Sequence, residues 1–222
     1  MKQQPTTNNY QLKVCGLTKI DQIQELISMN VDFLGFIFYE KSPRFVLNHL
    51  SLKEISEINH QGKVGVFVNE SIKAIVEITT ESQLDIIQLH GNENEKFILQ
   101  LRQILGNNIK IIKVIRIGNQ SFDELQKTIN QQPSTVNYLL FDTDSKAFGG
   151  TGKTFDWQIL NEIEIPIPYF LSGGISLENI HQLSTINHQP LALDINSKFE
   201  TEPGIKDLEK IKNFTQIVKK IY

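Results

Sequence analysis

The chain has 222 residues, 40% of them hydrophobic, and a formal net charge of −3. That apolar content is enough for a core and too high for a disordered chain, and scattered charges with no basic stripe argue against nucleic acid as a partner. A single cysteine, Cys15, rules out an internal disulfide and fits a reducing compartment, and no apolar run approaches the roughly 20 residues of a membrane span.

Residues 1–10, MKQQPTTNNY, lack the apolar stretch of a secretory signal and read as a disordered tail ahead of one domain over 11–222. From Gln11 onward, short apolar runs alternate with amphipathic stretches. The strand candidates are Leu12–Cys15, Phe33–Phe38, Val64–Val68, Ile86–Leu89, Ile109–Ile115, Tyr138–Phe141, Tyr169–Leu171 and Leu191–Ile195. Between them, helical spacing groups Ile20, Ile23, Leu26 and Ile27, then Phe97, Ile98, Leu101, Ile104 and Leu105, then Phe122, Leu125 and Ile129, and last Leu208, Ile211, Val218 and Ile221. Thr18 with Asp21, Ser51 with Glu54, and Ser121 with Glu124 read as helix starts, each a hydroxyl placed to take an orphan N–H and an acid at the positive helix end. Eight strands, each followed by a helix and each apolar without alternation, predict a single-domain (β/α)8 TIM barrel with a parallel sheet.

In such a barrel, chemistry gathers where the strands end. The ends here are Cys15, Asn69, His90, Arg116, Asp142, Ser172 and Asp194. Cys15 reads either as a buried small hydrophobe or as a base or nucleophile whose thiol a nearby cation helps to ionise. The turn at Ser42-Pro43 projects Arg44, which is either a solvated loop residue or a bidentate grip for a carboxylate. His90, alone after an apolar run, reads as a hydrogen-bonded structural residue or a second-rank site candidate. Asp142 precedes a glycine-rich stretch (Gly149, Gly150, Gly152), expected to be a loop that closes over a ligand, and a helix start from Phe155 to Leu160. Gly173 and Gly174 stand before a helix expected near Ser176. A Gly-Gly pair is a weak signal alone and a stronger one after the seventh strand, where backbone N–H groups of barrels bind phosphate. After the eighth strand, Asp194-Ile-Asn-Ser197 places Asn196 and Ser197 to complete an anion cup.

The runs Lys13–Thr18, Gly35–Val46, Val64–Asn69, Gln88–Gly91, Asp142 with Gly149–Trp157, Ser172–Gly174 and Pro203–Asp207 together resemble phosphoribosylanthranilate isomerase of tryptophan biosynthesis, in order and over nearly the whole chain after the tail. The resemblance implies a cytoplasmic barrel enzyme with a small phosphorylated substrate and without metal or cofactor. It implies the Amadori rearrangement of N-(5'-phosphoribosyl)anthranilate, with Cys15 as general base and Asp142 as general acid. Arg44 would hold the anthranilate carboxylate, and Gly173 and Gly174, finished by Asn196 and Ser197, the phosphate. His90 and Asp194 join the substrate-binding set. The base role requires Cys15 to lose a proton, with Lys13 and the substrate's iminium charge as helpers. The family often reads Ser-Ser-Gly-Val-Glu after the last strand, where this chain has Asn196-Ser-Lys-Phe-Glu200, and Lys198 is expected to face water. Two rivals stand beside this reading: the sister sugar isomerase of histidine biosynthesis, whose family has an Asp where this chain has Cys15, and a phosphate-binding barrel without catalysis. No pattern in the sequence sets an oligomeric state.

Overall fold

The computed structural model describes residues 10–144 and 154–218. Eight parallel strands close on themselves in sequence order: β1 (Gln11–Cys15), β2 (Phe33–Ile37), β3 (Lys63–Phe67), β4 (Ile86–Leu89), β5 (Lys110–Ile117), β6 (Tyr138–Thr143), β7 (Tyr169–Leu171) and β8 (Ala192–Ile195). The expected barrel and all eight strand positions are present. The closing seam pairs Gln11 with Ala192 and Lys13 with Asp194. Tyr10, at the edge of the expected tail, is buried, and its hydroxyl donates to Gln189. The rest of that tail and the Gly149–Gly152 stretch lie outside the described residues.

Around the barrel run α1 (Ile20–Ser28), α2 (Leu52–Ser56), α3 (Ile72–Glu81), α4 (Glu95–Leu105), α5 (Phe122–Asn130) and α6 (Leu208–Val218). A two-stranded antiparallel hairpin, β9 (Glu200–Glu202) and β10 (Ile205–Lys206), stands between β8 and α6. The expected helices after β6 and β7 are 3-10 segments instead, Trp157–Asn161 and Ile180–Thr185. The first is followed by Pro166 and Pro168, which bar a longer helix before β7, and the second runs through His181, Ser184 and Thr185, weak helix formers.

Ser51 and Ser121 form the expected capping boxes with Glu54 and Glu124. Thr18 does not cap α1: Lys19 holds that position without a side-chain bond, and the Thr18 hydroxyl donates to Gly204 O at 2.6 Å. Three α-helix caps lie beyond those expected, Ser71 on α3, Asn94 on α4 and Asp207 on α6, whose Oδ1 accepts the Lys210 N–H at 3.0 Å. Ile98 and Leu101 of α4 are buried, but Ile104 is 59% exposed. At 100° per residue, Ile104 falls to the rim of the stripe centred on Ile98, Leu101 and Leu105.

Beneath the strands' N-terminal ends, buried cations satisfy carbonyls. Lys63 Nζ donates to Ile55 O, Ser56 O and Ser82 O, each at 3.3 Å. Arg102 reaches Gly106 O, Ile109 O, Thr135 O and Asn137 Oδ1. This face is built for stability, which leaves chemistry to the other.

The Ser71 hydroxyl accepts the Ala74 N–H at 3.2 Å in an exposed, isolated cap. Ser71→Ala is expected to cost about 1 kcal/mol with activity unchanged, measured by chemical denaturation.

Candidate active site

Side chains alternate along a strand, and that parity decides what enters the barrel. In β1, Leu12 and Val14 join the outer core under the helices, so Lys13 and Cys15 point inward. In β8, Leu193 and Ile195 face out, while Ala192 and Asp194 face in. In β6, Leu139 and Phe141 face out, leaving Leu140 and Asp142 inside. The inner floor is apolar, with Val64, Ile86, Ile112, Val114, Leu140, Phe170 and Ala192. The polar groups stand above it.

Cys15 is 5% exposed and packs with Ile37 and Val66. Gly35 makes room for it, since a Cβ there would lie 2.9 Å from the sulfur. Burial pushes the thiol up; Lys13 and Lys206 pull it down and Asp194 pushes it further up, with a net rise. Lys13 is therefore the expected helper, but it does not by itself outweigh the dry surroundings.

Lys13 Nζ meets Asp194 Oδ2 at 2.9 Å, both groups buried. Burial works against the ammonium, but Asp194 and Cys15 more than offset it and its pKa is raised. Burial likewise holds the Asp194 carboxyl above its usual range, against the pull of Lys13 and with Asp142 adding to the rise. Asp194 Oδ1 is buried without a hydrogen-bond partner among the described residues.

Asp142 is fixed from two sides. Its Oδ1 accepts the Thr143 N–H at 2.8 Å, and its Oδ2 lies 3.3 Å from His90 Nε2. His90 is thus placed as a partner of the acid candidate. Its other ring nitrogen lies 3.1 Å from Gln88 Nε2, and its carbonyl accepts from Arg116. The loop behind it is locked by a buried pair: Lys113 Nζ binds Glu93 Oε2 and Gly91 O, each at 2.8 Å, while Glu93 Oε1 takes the N–H groups of Asn69 and Gly91.

Arg44 is not solvated. Its stem crosses Gly16, whose φ is +75° and where a Cβ would sit 2.7 Å from Arg44 Cδ and 2.9 Å from Asn196 Oδ1. The guanidinium then grips Glu200, with Nε at 2.9 Å and Nη2 at 2.6 Å from Oε2. Its Nη1 has no hydrogen bond among the described residues. Glu200 also accepts from Lys206 Nζ at 2.7 Å and Gly204 N–H at 3.1 Å. Burial would raise the Glu200 carboxyl, but Arg44 and Lys206 overcome it and hold it below the usual range. Lys206 further donates to Asn196 Oδ1 at 2.9 Å, so Asn196 anchors a lysine here. Ser197 opens a short 3-10 turn to Phe199, and Lys198 is exposed as expected.

Gly173 and Gly174 have φ of +86° and +73°. Their N–H groups and that of Ile175 have no acceptor among the described residues, whereas Ser176 N–H is taken by Asn179 Oδ1 at 2.8 Å. No group of three or more His, Cys, Asp or Glu side chains among the described residues is placed to hold a metal ion. The structure thus brings Cys15, Asp142, His90 and Asp194 into one barrel mouth, with Arg44 and Asn196 joined to it through Glu200 and Lys206. Those last two, with Lys113, were not among the expected site residues, and Lys13 was expected only as a helper of Cys15. Lys13 and Lys113 did carry a signal, since a lysine inside an apolar strand needs a buried partner.

The family model described as N-(5'phosphoribosyl)anthranilate (PRA) isomerase matches residues 12–217. The chain belongs to this family. The N-(5'-phosphoribosyl)anthranilate isomerase of Parabacteroides distasonis is 38% identical over 208 residues, covering 92% of this chain and 91% of that one. That of Trichodesmium erythraeum is also 38% identical, over 90% of this chain and 94% of its own. Among solved structures, the phosphoribosyl anthranilate isomerase of Thermotoga maritima aligns with a TM-score of 0.76 at 30% identity, over 95% of this chain and 99% of that one. Another structure of such an isomerase, in complex with reduced 1-(o-carboxyphenylamino)-1-deoxyribulose 5-phosphate, aligns at 0.73 and 27% identity, over 95% of this chain and 99% of that one.

For this isomerase-family chain, a Cβ at Gly173 would lie 2.5 Å from Thr143 Oγ1 and 2.8 Å from Thr143 N, the group that holds Asp142. Gly173→Ala is expected to destabilise by roughly 1–3 kcal/mol and to cut turnover, read by denaturation and initial rates. Glu200 gives a pH signature. Its folded pKa is depressed, so its contribution is present above the unfolded value of 4.5 and is lost as pH falls through the folded value. The stability gap between wild type and Glu200→Gln should accordingly shrink in denaturation series carried below that pH.

Proposed function

We propose that the chain converts N-(5'-phosphoribosyl)anthranilate to 1-(2-carboxyphenylamino)-1-deoxyribulose 5-phosphate in the cytoplasm, with Asp142 as general acid and Cys15 as general base. Family membership supports the reaction. The observation that carries the residue roles is that Asp142 on β6 and Cys15 on β1 project into one barrel mouth, with buried Asp194 between them and interacting with both.

The substrate has an anion at each end. The free N–H groups at Gly173 and Gly174 suit its phosphate, and the Nη1 edge of Arg44, left open by Glu200, suits its carboxylate. Binding at both ends fixes the reacting carbons between acid and base. Asp142, oriented by Thr143 and His90, gives its proton to the ring oxygen. The bond from that oxygen to C1' breaks, and the nitrogen lone pair forms an iminium. Cys15 then takes the proton from C2', whose bonding electrons neutralise the iminium and leave an enolamine. Return of a proton to C1' and loss of one from the C2' hydroxyl give the ketone. Because burial holds the thiol protonated in the free protein, the thiol must first release its proton to water, and the positive iminium beside it stabilises the thiolate that then acts as the base.

Loss of fluorescence of phosphoribosylanthranilate, made in situ, measures the reaction. Cys15→Ser and Asp142→Asn are each expected to lower kcat by on the order of 10²-fold or more. Near-normal turnover in either variant removes that residue from its role, and no turnover by the wild type removes the reaction.

A further inference from the structure

The β9–β10 hairpin is not needed to close the barrel, which β8 already does by pairing with β1. Its ties run instead to the chain just beyond Cys15. Thr18 Oγ1 donates to Gly204 O at 2.6 Å, and Gln22 exchanges two bonds of 2.8 Å with the backbone of Lys206. These ties bury two opposite charges, Glu200 and Lys206, beside Asn196, whose amide lies against Gly16 next to Cys15. A buried ion network costs desolvation that an apolar hairpin would avoid, so its presence calls for a role.

We propose that Lys206 is a positioning residue for the reaction: with Glu200 as its counter-ion, it sets how readily the Cys15 thiol ionises. Glu200 is shared with Arg44, so one carboxylate serves both the arginine that faces the substrate and the lysine that faces the base. This rests on the reading of Cys15 as the base.

The charged groups around the thiol are few. Lys13 faces it from its own strand, Asp194 from β8 and Lys206 from β10. Arg44 and Glu200 lie behind Lys206, and Asp142 and His90 lie beyond Asp194. Lys13 is neutralised directly by Asp194 at 2.9 Å, whereas Lys206 shares its carboxylate with a second cation. Burial lowers the Lys206 pKa against the opposing pull of Glu200 and Cys15. While Lys206 keeps its proton, the Arg44–Glu200–Lys206 group holds two cations to one carboxylate, and Lys206 is its member that interacts with the sulfur.

Because Cys15 is the sole cysteine, ultraviolet thiolate absorbance titrates it alone, with Cys15→Ser protein as the blank. Lys206→Met, or the neutral and similarly sized Lys206→Gln, is expected to raise the midpoint by on the order of one pH unit. In Lys206→Arg the cation cannot lose its proton, so adding Glu200→Gln removes only the opposing charge, and the midpoint should fall below that of Lys206→Arg alone. A hairpin with a merely structural role would, when loosened, move both comparisons in the same direction. Shifts in the same direction, or none, overturn the proposal. The acid limb of kcat/KM should follow the thiol midpoint in each variant. If the midpoints move as expected while Cys15→Ser still turns over, the electrostatic coupling stands and the base assignment fails.

Discussion

The ion pair between Lys13 and Asp194 is the constraint on which the barrel mouth depends. Two charges buried at 2.9 Å lie at the seam where the first strand meets the last. An unpaired charge there would carry a penalty of several kcal/mol, so the pair holds only while the seam is in register. Register in turn decides parity. A slip of one residue would turn Lys13 and Cys15 out toward the helices and bring Leu12 and Val14 inside. The same pair supplies one of the two cations that face the thiol, so closure of the fold and charge at the sulfur come from one contact.

Around that pair, opposite charges are laid out in sequence: Arg44, Glu200 and Lys206 on one side of Cys15, Lys13 and Asp194 on the other. All are shielded from water, which gives them weight that surface pairs lack. Lys53–Glu57 and Lys73–Glu77 span 3.9 and 3.7 Å across largely exposed side chains and matter little to stability. Glycine works with this arrangement at two places. Gly16 lets an arginine stem cross the backbone beside the thiol, and Gly173 lets a loop come within reach of the residue that holds Asp142.

Strand order was legible because apolar runs mark strands, whereas which residues turn inward was not, since runs that are apolar throughout do not show parity. Cys15, Asp142 and Asp194 could be placed at strand ends without coordinates, and their convergence followed from the barrel. Side-chain partners were not legible. Arg44 read as solvated or as a free carboxylate grip because its partner lies far along the chain, at Glu200. His90 read as a hydrogen-bonded structural residue or a second-rank candidate, but its partner could not be named because Asp142 sits on another strand. The helices expected after β6 and β7 became 3-10 segments, since apolar spacing alone does not register Pro166 and Pro168 beyond the first or the weak helix formers His181, Ser184 and Thr185 in the second. Thr18 matched a cap pattern, yet its hydroxyl is used by a distant glycine carbonyl. Local pattern is read well, and long-range competition for the same atom is not.

The ties that define the mouth join residues far apart in the chain. Lys13 to Asp194 spans 181 positions, Thr18 to Gly204 spans 186, and Arg44 to Glu200 spans 156. Nearest-neighbour strand pairs and the carbonyl clamps of Lys63 and Arg102 close over much shorter loops. Closing long loops is entropically costly and slow, so the short-range half of the architecture can assemble before the ends meet. The environment of the thiol does not exist until they do. Chemical competence in this chain is therefore a property of the completed circle, and a nascent or partly unfolded barrel, however much secondary structure it holds, leaves its one cysteine an ordinary thiol.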